Sequence, residues 1–542
     1  MKKAFVAIFA MALSLHAAAP PRGSDQLREL VVFPDMQVNF DFGLSSQGDD
    51  WVIAKKVDLP SEISRLRGEL KQQPNEIKKL LQLGYLLDSN NQTNESQSCY
   101  QKAEQLCRDK AAVNPQDGLN LTDLGEALHQ LDKCDEAESV YRKATLVSSN
   151  EWRCWVQLGN FLSANDFWFM FPQNMRGQLF PSGQMPSQEV LDYRPSPDAL
   201  KKSEASLAEA SQCFNRAMAL APKESEMFIE RAGFLSRSNF QSCFFRHFSD
   251  SEKNDPTVWI LANFSEESIA NLQRAAELSP QNYEYISLAA YFEWTRAMTE
   301  WSKANSQAYL KRFTPDVLPD ATRQSILDAM TRLETLSQSA DKKLAAGALE
   351  NLGMLKMFLG NSKAATANFR QAVSLDPTRE QSWDMWLASI TDSGTPEEKV
   401  AICESRLKYK DSARNHLLLA RALQHQEKWD KVGEQTEAAL KLEPDNVVAE
   451  LELLALDLKQ SADPNFMSKA AERFNRIDAV YNKLPDSKEK LSRWRELTLN
   501  RAILDGLEDM PEYQKAAKAC LEAVLERFPN DETAKKISSA LD

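Results

Sequence analysis

Between Asn75 and Pro529, apolar residues recur at intervals of three and four, and short polar turns divide the runs. That spacing places them along one face of an α-helix, so the chain reads as helix after helix. The runs also repeat one another. Residues 349–377 read LENLGMLKMFLGNSKAATANFRQAVSLDP, in which Leu352-Gly353 is followed by Ala365, Phe369, Ala372 and Pro377. Residues 121–149 read LTDLGEALHQLDKCDEAESVYRKATLVSS, with Leu124-Gly125, Ala137, Tyr141, Ala144 and Ser149 at the same offsets. The second half of the pattern returns as Ala210, Phe214, Ala217 and Pro222. It returns again as Val432, Thr436, Ala439 and Pro444, and as Ala517, Leu521, Val524 and Pro529. Each period predicts two antiparallel helices. Small residues at the Gly353 and Ala365 positions let the helices approach closely, and the bulky Phe369 position is expected to fill the space between one pair and the next. Pro377 lacks an N–H and clashes with a preceding turn, so it opens a new unit. One pair cannot bury its apolar face alone; stacking supplies the missing wall.

With these residues in hand, the chain resembles the tetratricopeptide repeat family. That pattern, W-x2-L-G-x2-Y, then A-x3-F, then P, also appears as Trp155, Leu158, Gly159 and Leu162. About nine or ten units fit between Asn75 and Pro529. The best matches are 118–151, 346–379 and 413–446, with weaker ones at 77–110, 380–412, 447–485 and 488–531. The resemblance implies an all-α fold, a right-handed α-solenoid of antiparallel helix pairs. It also implies a scaffold that binds a protein or peptide along its concave face. In the family frame the first helix of each unit lines that face through roughly its second, fifth, ninth, twelfth and thirteenth positions. Here these include Arg414, Leu417, Arg421, Gln424 and His425; Glu350, Met354, Met357 and Phe358; and Asp384 and Asp392. The carboxylate clamp of chaperone-binding relatives needs Lys and Asn at the fifth and ninth positions of the first unit. Leu81 and Tyr85, or Thr122 and Glu126, stand there instead, so that specificity does not transfer.

The central units carry extra residues. Gly353 and Ala365 are 365 − 353 = 12 apart, whereas Gly159 and Ala210 are 210 − 159 = 51 apart, an insertion of 39. Ala232 and Ser268 are 36 apart, leaving 24 extra. The unit around 283–338 reads as one overlong helix whose partner starts near Ala321. The first insertion contains DFWFMFPQN at 166–174, and the second contains Phe240, Phe244, Phe245, Phe248, Trp259 and Phe264. Two readings stay open. These aromatics form a private mini-core, or part of the cluster lines a partner groove through Trp168, Phe169 and Phe171. The rival functional class is an enzyme or accessory subunit that holds a glycan or small ligand through Trp168, Trp259, Trp294 and Trp301. The candidate partner-binding set is therefore Trp168, Phe169, Phe171, Met354, Met357, Arg414, Arg421 and His425.

The chain divides into 1–19, a signal; 20–60, an extended capping segment; and 61–225, repeats with an aromatic insertion at 163–203. Then come 226–345, irregular repeats with long insertions; 346–531, C-terminal repeats; and 532–542, a polar capping helix. In the capping segment Val31–Phe33 and Met36–Phe42 read as extended, with a turn at Gly43–Asp50. The signal rests on Lys2 and Lys3, then AFVAIFAMALSL, then HAAAPP, the three-part plan of secretion. The apolar run is shorter than the ~20 residues a membrane span needs. Cleavage is expected between Ala17 and Ala19, giving a periplasmic or secreted protein with no stable membrane insertion.

Composition trims the options further. Only 17 of 542 residues are glycine, which disfavours phosphate loops and barrels. A net charge of −13 argues against nucleic acid as a partner. The eight cysteines show no CxxC or zinc-like spacing, and most are expected as small buried residues, with room for a disulfide or two between Cys99 and Cys213. The sequence contains no GxSxG, HExxH, GxxxxGK or GxGxxG. His129, His416 and His425 fall on repeat helices, and His247 lies near Cys243 and Asp250 without a catalytic context. No catalytic residue, cofactor or metal is predicted.

Overall fold

The computed structural model describes residues 44–47, 50–53, 59–89, 92–172, 190, 192–245, 256–304, 318–391, 394–459, 466–481, 488–507, 511–529 and 531–541. The signal segment, the extended runs at 31–42 and His247 lie outside these residues. Two blocks divide the described chain, one up to Ser389 and one from Ile390 onward.

The first block opens with an antiparallel hairpin, β1 (Leu44–Gln47) and β2 (Asp50–Ile53), in which Leu44 faces Ile53 and Gln47 faces Asp50. The strands occupy the stretch that the sequence assigned to a turn. The register closes at Gln47 opposite Asp50, so part of the stretch Gly43–Asp50 is paired. A helix follows, α1 (Leu59–Gln72), whose Ile63, Leu66 and Leu70 are buried in one cluster with Ile77, Leu80 and Leu81. The cover over the first repeat is thus helical.

The repeats come next as antiparallel pairs: α2 (Ile77–Ser89) with α3 (Thr93–Val113), and α4 (Gly118–Gln130) with α5 (Cys134–Val147). Then α6 (Trp152–Phe169) packs on α7 (Pro197–Leu220). The insertion read at 163–203 lengthens both of these helices. Helix α6 runs on through the aromatic stretch, and α7 starts early because Ser196 caps the Ala199 N–H and Pro197 takes the first helical turn. Helix α8 (Ser225–Phe245) packs on α10 (Glu266–Leu278), with the short α9 (Pro256–Asn263) between them in sequence. The overlong helix is α11 (Tyr283–Ala304), and its partner is α12 (Asp320–Leu336). Helices α13 (Lys342–Phe358) and α14 (Ser362–Leu375) form the most regular pair, and α15 (Glu380–Ser389) ends the block.

The second block begins with α16 (Pro396–Tyr409), started by a capping box between Thr395 and Glu398. The pairs α17 (Ala413–Gln424) with α18 (Trp429–Leu442), α19 (Val447–Lys459) with α20 (Phe466–Tyr481) and α21 (Lys488–Gly506) with α22 (Pro511–Arg527) follow. The last helix, α23 (Glu532–Leu541), is amphipathic where the sequence reading made it polar. Ala534 and Ile537 are buried against the α21–α22 pair, because a terminal helix must hide the apolar side of its neighbour as well as face water. Both blocks follow the α-solenoid plan of stacked helix pairs.

One contact sets the spacing within a pair. The Tyr100 ring lies on Gly84, Tyr141 on Gly125, Phe214 on Gly159 and Phe369 on Gly353. The separation is 369 − 353 = 16 residues in the regular units and 214 − 159 = 55 in the third, longer by the 39 inserted. The ring therefore fills the gap inside its own pair, where the sequence reading put it between pairs. It still reaches the neighbour: Phe214 stacks on Phe234 at 4.3 Å, and Phe369 clusters with Met385. A methyl group at Gly353 would fall 2.6 Å from the Phe369 ring, whereas nothing lies within 4 Å of one at Gly68 in α1. We expect Gly353→Ala to cost ~1–3 kcal/mol by overpacking. Gly68→Ala should gain ~0.5–1 kcal/mol from helix propensity. Chemical denaturation of both variants checks the pair, and equal effects of one sign would refute it.

Candidate functional site

The first helices of successive units meet along a seam with its own arithmetic. Met354 on α13 clusters with Met385 on α15, 385 − 354 = 31 residues later. Arg421 on α17 acts electrostatically on Glu452 on α19, again 452 − 421 = 31 later. Asn160 on α6 donates to Glu230 on α8 at 3.3 Å, and 230 − 160 = 70 is longer by the same 39 inserted residues. The ninth position of one unit thus meets the sixth of the next. It does so as a thioether pair, an ion-and-acid pair or an amide-and-carboxylate pair.

In the first block this seam is mostly closed. Met354 is buried against Phe369 and Met385, and Met357 is half-buried beside them. Phe358 stacks on Trp294 at 4.6 Å and tilts against Tyr291, so it belongs to the neighbouring unit's core. Glu350 is 2% exposed and held by Arg379, whose Nε and Nη2 donate to its two oxygens at 3.1 and 2.5 Å. The Ser382 hydroxyl donates to the same carboxylate at 2.5 Å, and the Tyr283 ring lies under the guanidinium at 5.7 Å. A second polar group sits between α6 and α8. There Arg237 donates to Asn160 at 2.5 Å and the Gln241 amide donates to the Ser163 carbonyl at 2.6 Å. Burial opposes the charge on Arg237, and Glu230 supports it. These pairs were missed in the sequence. For Glu350 the signal was a carboxylate placed inside the apolar run LAAGALENLGML.

The aromatic stretch divides. Phe171 is buried with Phe167, Met170 and Val190, its ring 5.4 Å from both Phe167 and Tyr193. Phe171 and Met354 stand in the candidate partner-binding set, yet both are interior: Phe171 lies in the mini-core that was the other reading, and Met354 packs against Phe369 and Met385. Trp168 and Phe169 end α6, and their side chains lie outside the described residues, as does that of Trp259. Trp294 is buried and Trp301 half-buried in the α11–α12–α13 cluster. A cavity of about 550 Å³ opens elsewhere, at the turn from Ser279 to Glu284, with Glu284 as its carboxylate.

The second block keeps more polar surface on the seam. Arg414 and Arg421 are half-buried, Leu417 is buried, and His425, directly after α17, is exposed. The Arg421 guanidinium donates to Gln424 at 3.2 Å. Glu452 is 4% exposed with one oxygen lacking a hydrogen-bond partner, and Glu496 is tied up by Arg493 at 2.8 and 3.0 Å. Burial pushes the Glu452 carboxyl up to about 8; Arg421 pulls it down and Glu496 pushes it further up. Partial burial, then Arg421 and Lys399, hold His425 below the ordinary histidine range. Among the described residues, no group of three or more His, Cys, Asp or Glu side chains is placed to hold a metal ion.

Helix pairs in register, a glycine under each ring and an inner seam of first helices define a helical-repeat protein. Residues 80–110 and 346–379 match the tetratricopeptide repeat model. No curated protein matches the sequence. Among solved structures, MamA from Desulfovibrio magneticus is 18% identical over 31% of this chain and 91% of its own, with a TM-score of 0.25. Yeast Tom70 is 14% identical over 88% of this chain and 98% of its own, with a TM-score of 0.32. The C-terminal part of a repeat-containing protein from Cytophaga hutchinsonii is 14% identical over 57% and 99%, with a TM-score of 0.34. Superpositions at these scores carry no argument about shape or partner.

Two measurements test the seam. Arg379→Met strands the buried Glu350 charge and should cost ~3–5 kcal/mol in chemical denaturation, with Glu350→Gln in the same chain recovering much of it. Glu452 has a folded pKa above its ordinary 4.5, so between that value and about 8 the folded chain keeps a proton that the unfolded chain releases. Stability contributed by the neutral acid is therefore present at low pH and lost as pH rises through about 8. Glu452→Gln should raise the thermal midpoint relative to wild type more at about pH 8.5 than at about pH 5. An equal change at both would show that Glu452 is not held neutral.

Proposed function

We propose that the chain is an exported, non-catalytic scaffold that binds a protein or peptide partner along the seam of first helices. The observation that carries this reading is the second block's seam. There Arg414, Arg421 and His425 keep polar, partly accessible side chains on the face that the repeat frame assigns to recognition. Export rests on the Lys2-Lys3 and apolar leader pattern. The thiols are compatible with an oxidising compartment. The eight cysteines form no disulfide, and burial pushes Cys107, Cys154, Cys213 and Cys403 up to about 12. The thiolate is the reactive form, so such groups resist oxidation. Among the described residues no helix is long and apolar enough to cross a membrane.

A photo-crosslinking residue at His425 tests the binding face in the exporting cell. It should yield adducts of discrete mass, while the same residue at Lys441, on the second helix of that unit, should not. Equal yields at both positions, or none at either, would remove the seam as the docking face.

A further inference from the structure

We propose that α1, α3, α5 and α7 carry an ion ladder whose rungs make the spacing of the first units along their outer edge respond to ionic strength. Arginines on α1, α3 and α5 each reach a glutamate on the next helix of that series. Arg67 donates to Glu95 through Nε and Nη2 at 3.0 and 2.6 Å. Arg108 donates to Glu136 at 2.6 Å, and Arg142 grips Glu209 through Nη1 and Nη2 at 2.5 and 2.9 Å. One register governs all three. The separations are 95 − 67 = 28, 136 − 108 = 28 and 209 − 142 = 67, which is 28 plus the 39 inserted residues. Helix α1 thus stands in the place of a second helix.

The ring-on-glycine contact fixes where the receiving acid sits. Glu95, Glu136 and Glu209 each precede the ring residue of their own helix, Tyr100, Tyr141 and Phe214, by five positions. Arg142 follows its ring by one residue and Arg108 by eight. The difference of seven is two helical turns, which returns the side chain to the same face. Further charges join the rungs into a network. Glu104 and Glu138 hold Arg108 and Arg142 from one turn earlier, and Lys133 ties Glu104 to the start of α5 at 2.8 Å. The ladder then stops. Asn215 stands one residue after Phe214, where an arginine would continue it, and it accepts from Arg231 on α8. In α14 the receiving place, five residues before Phe369, is Ala364.

Position in the fold gives the ladder its consequence. Helix α3 packs on α4 and α5 packs on α6, and the first helices α2, α4 and α6 touch in turn. Among the described residues there is little backbone packing between α3 and α5 or between α5 and α7, so long side chains span those gaps. The side chains of Arg67, Arg108 and Arg142 are 39–42% exposed, whereas that of Arg379 on the seam is 13% exposed. Dissolved ions therefore reach the rungs, and the screening length falls from about 10 Å at 0.1 M salt to about 3 Å at 1 M. A lone exposed pair contributes little, but forked arginines joined in a network contribute more. Screening releases the outer edges while each second helix stays packed on the first helix that follows it. The units then pivot on those contacts, and the seam of first helices changes curvature without any helix unfolding. This inference does not depend on what the seam binds.

The test puts spin labels on α3 and α7 of the full chain, at Gln101→Cys and Gln212→Cys, both exposed positions. Cys134→Ser and Cys520→Ser remove the two half-buried thiols, and the other six are buried. Electron–electron double resonance on samples frozen from about 0.01 M and about 1 M salt should show a narrow distance distribution that lengthens by several Å and broadens at high salt. The Arg108→Gln, Arg142→Gln double variant should give the longer distribution already at low salt and change little with added salt. Arg274→Gln, which breaks only a pair within α10, should behave as the unsubstituted chain does. The proposal is overturned if the distance ignores salt, if the double variant still responds to salt as fully, or if Arg274→Gln matches the double variant. Loss of helical circular dichroism alongside the longer distance would overturn it too, by showing unfolding in place of a pivot.

Discussion

The distance between two helices of a pair depends on what lies where they cross, and here an aromatic ring lies on a glycine. An α-helix carries its side chains outward, so two helices ordinarily meet with two layers of atoms between them. At Gly84, Gly125, Gly159 and Gly353 one layer is absent, and the Tyr or Phe of the second helix takes its place. The ring is then large enough to extend past its own pair and touch the next, as Phe214 does with Phe234. One residue choice thus fixes both the spacing within a unit and the spacing between units. Insertions are tolerated because they enter at the turn and leave this crossing alone. The third unit gains 39 residues and still sets Phe214 on Gly159.

The seam of first helices follows from the same constraint. Once pair-to-pair spacing is fixed, the ninth position of one unit is held beside the sixth of the next, whatever residues stand there. That place is structurally obligatory and chemically open. Met354 with Met385 makes it greasy, Asn160 with Glu230 makes it polar, and Arg421 near Glu452 makes it charged. A repeat array can therefore vary its recognition chemistry unit by unit without altering its architecture, because the contact that holds the array together lies elsewhere.

Much of the fold was legible because helical periodicity and the Gly–aromatic spacing are local signals, visible at Leu352-Gly353 and Phe369 without a partner structure. The overlong helix at Tyr283–Ala304 and the first insertion's length were legible for the same reason. The strands Leu44–Gln47 and Asp50–Ile53 overlap a stretch read as a turn because alternation over a few residues fixes strand limits poorly. Surface against core was the harder question. The family frame assigns Met354 and Met357 to an inner face, but it cannot say that Phe369 and Met385 close over Met354, since that depends on side-chain volumes in two further helices. Phe171 stayed between two readings because a run of aromatics advertises burial and binding equally, and its buried ring fits the mini-core. Glu452 was overlooked because one of the three acids in VVAELELLALDLK looks like a solvated position until its neighbours on two other helices are known.

Buried ionisable groups on the seam carry a consequence for what such a protein can discriminate. A pair such as Glu350 and Arg379 is satisfied from within, by two charged hydrogen bonds and the Ser382 hydroxyl, and it stabilises one arrangement of α13 against α15. Its charge is spent. At Arg421 burial pushes the corresponding carboxyl, Glu452, up to about 8, and the guanidinium sits at a half-buried place where water screens charge less than in bulk. Discrimination between partners depends on differences, and a charge that is unpaired in the free protein makes a larger difference than one already paired. The uneven satisfaction of the seam therefore separates units whose polar groups are paired from within, as at Glu350 and Arg379, from units that leave buried polar atoms open, as at Gln424 and Glu452.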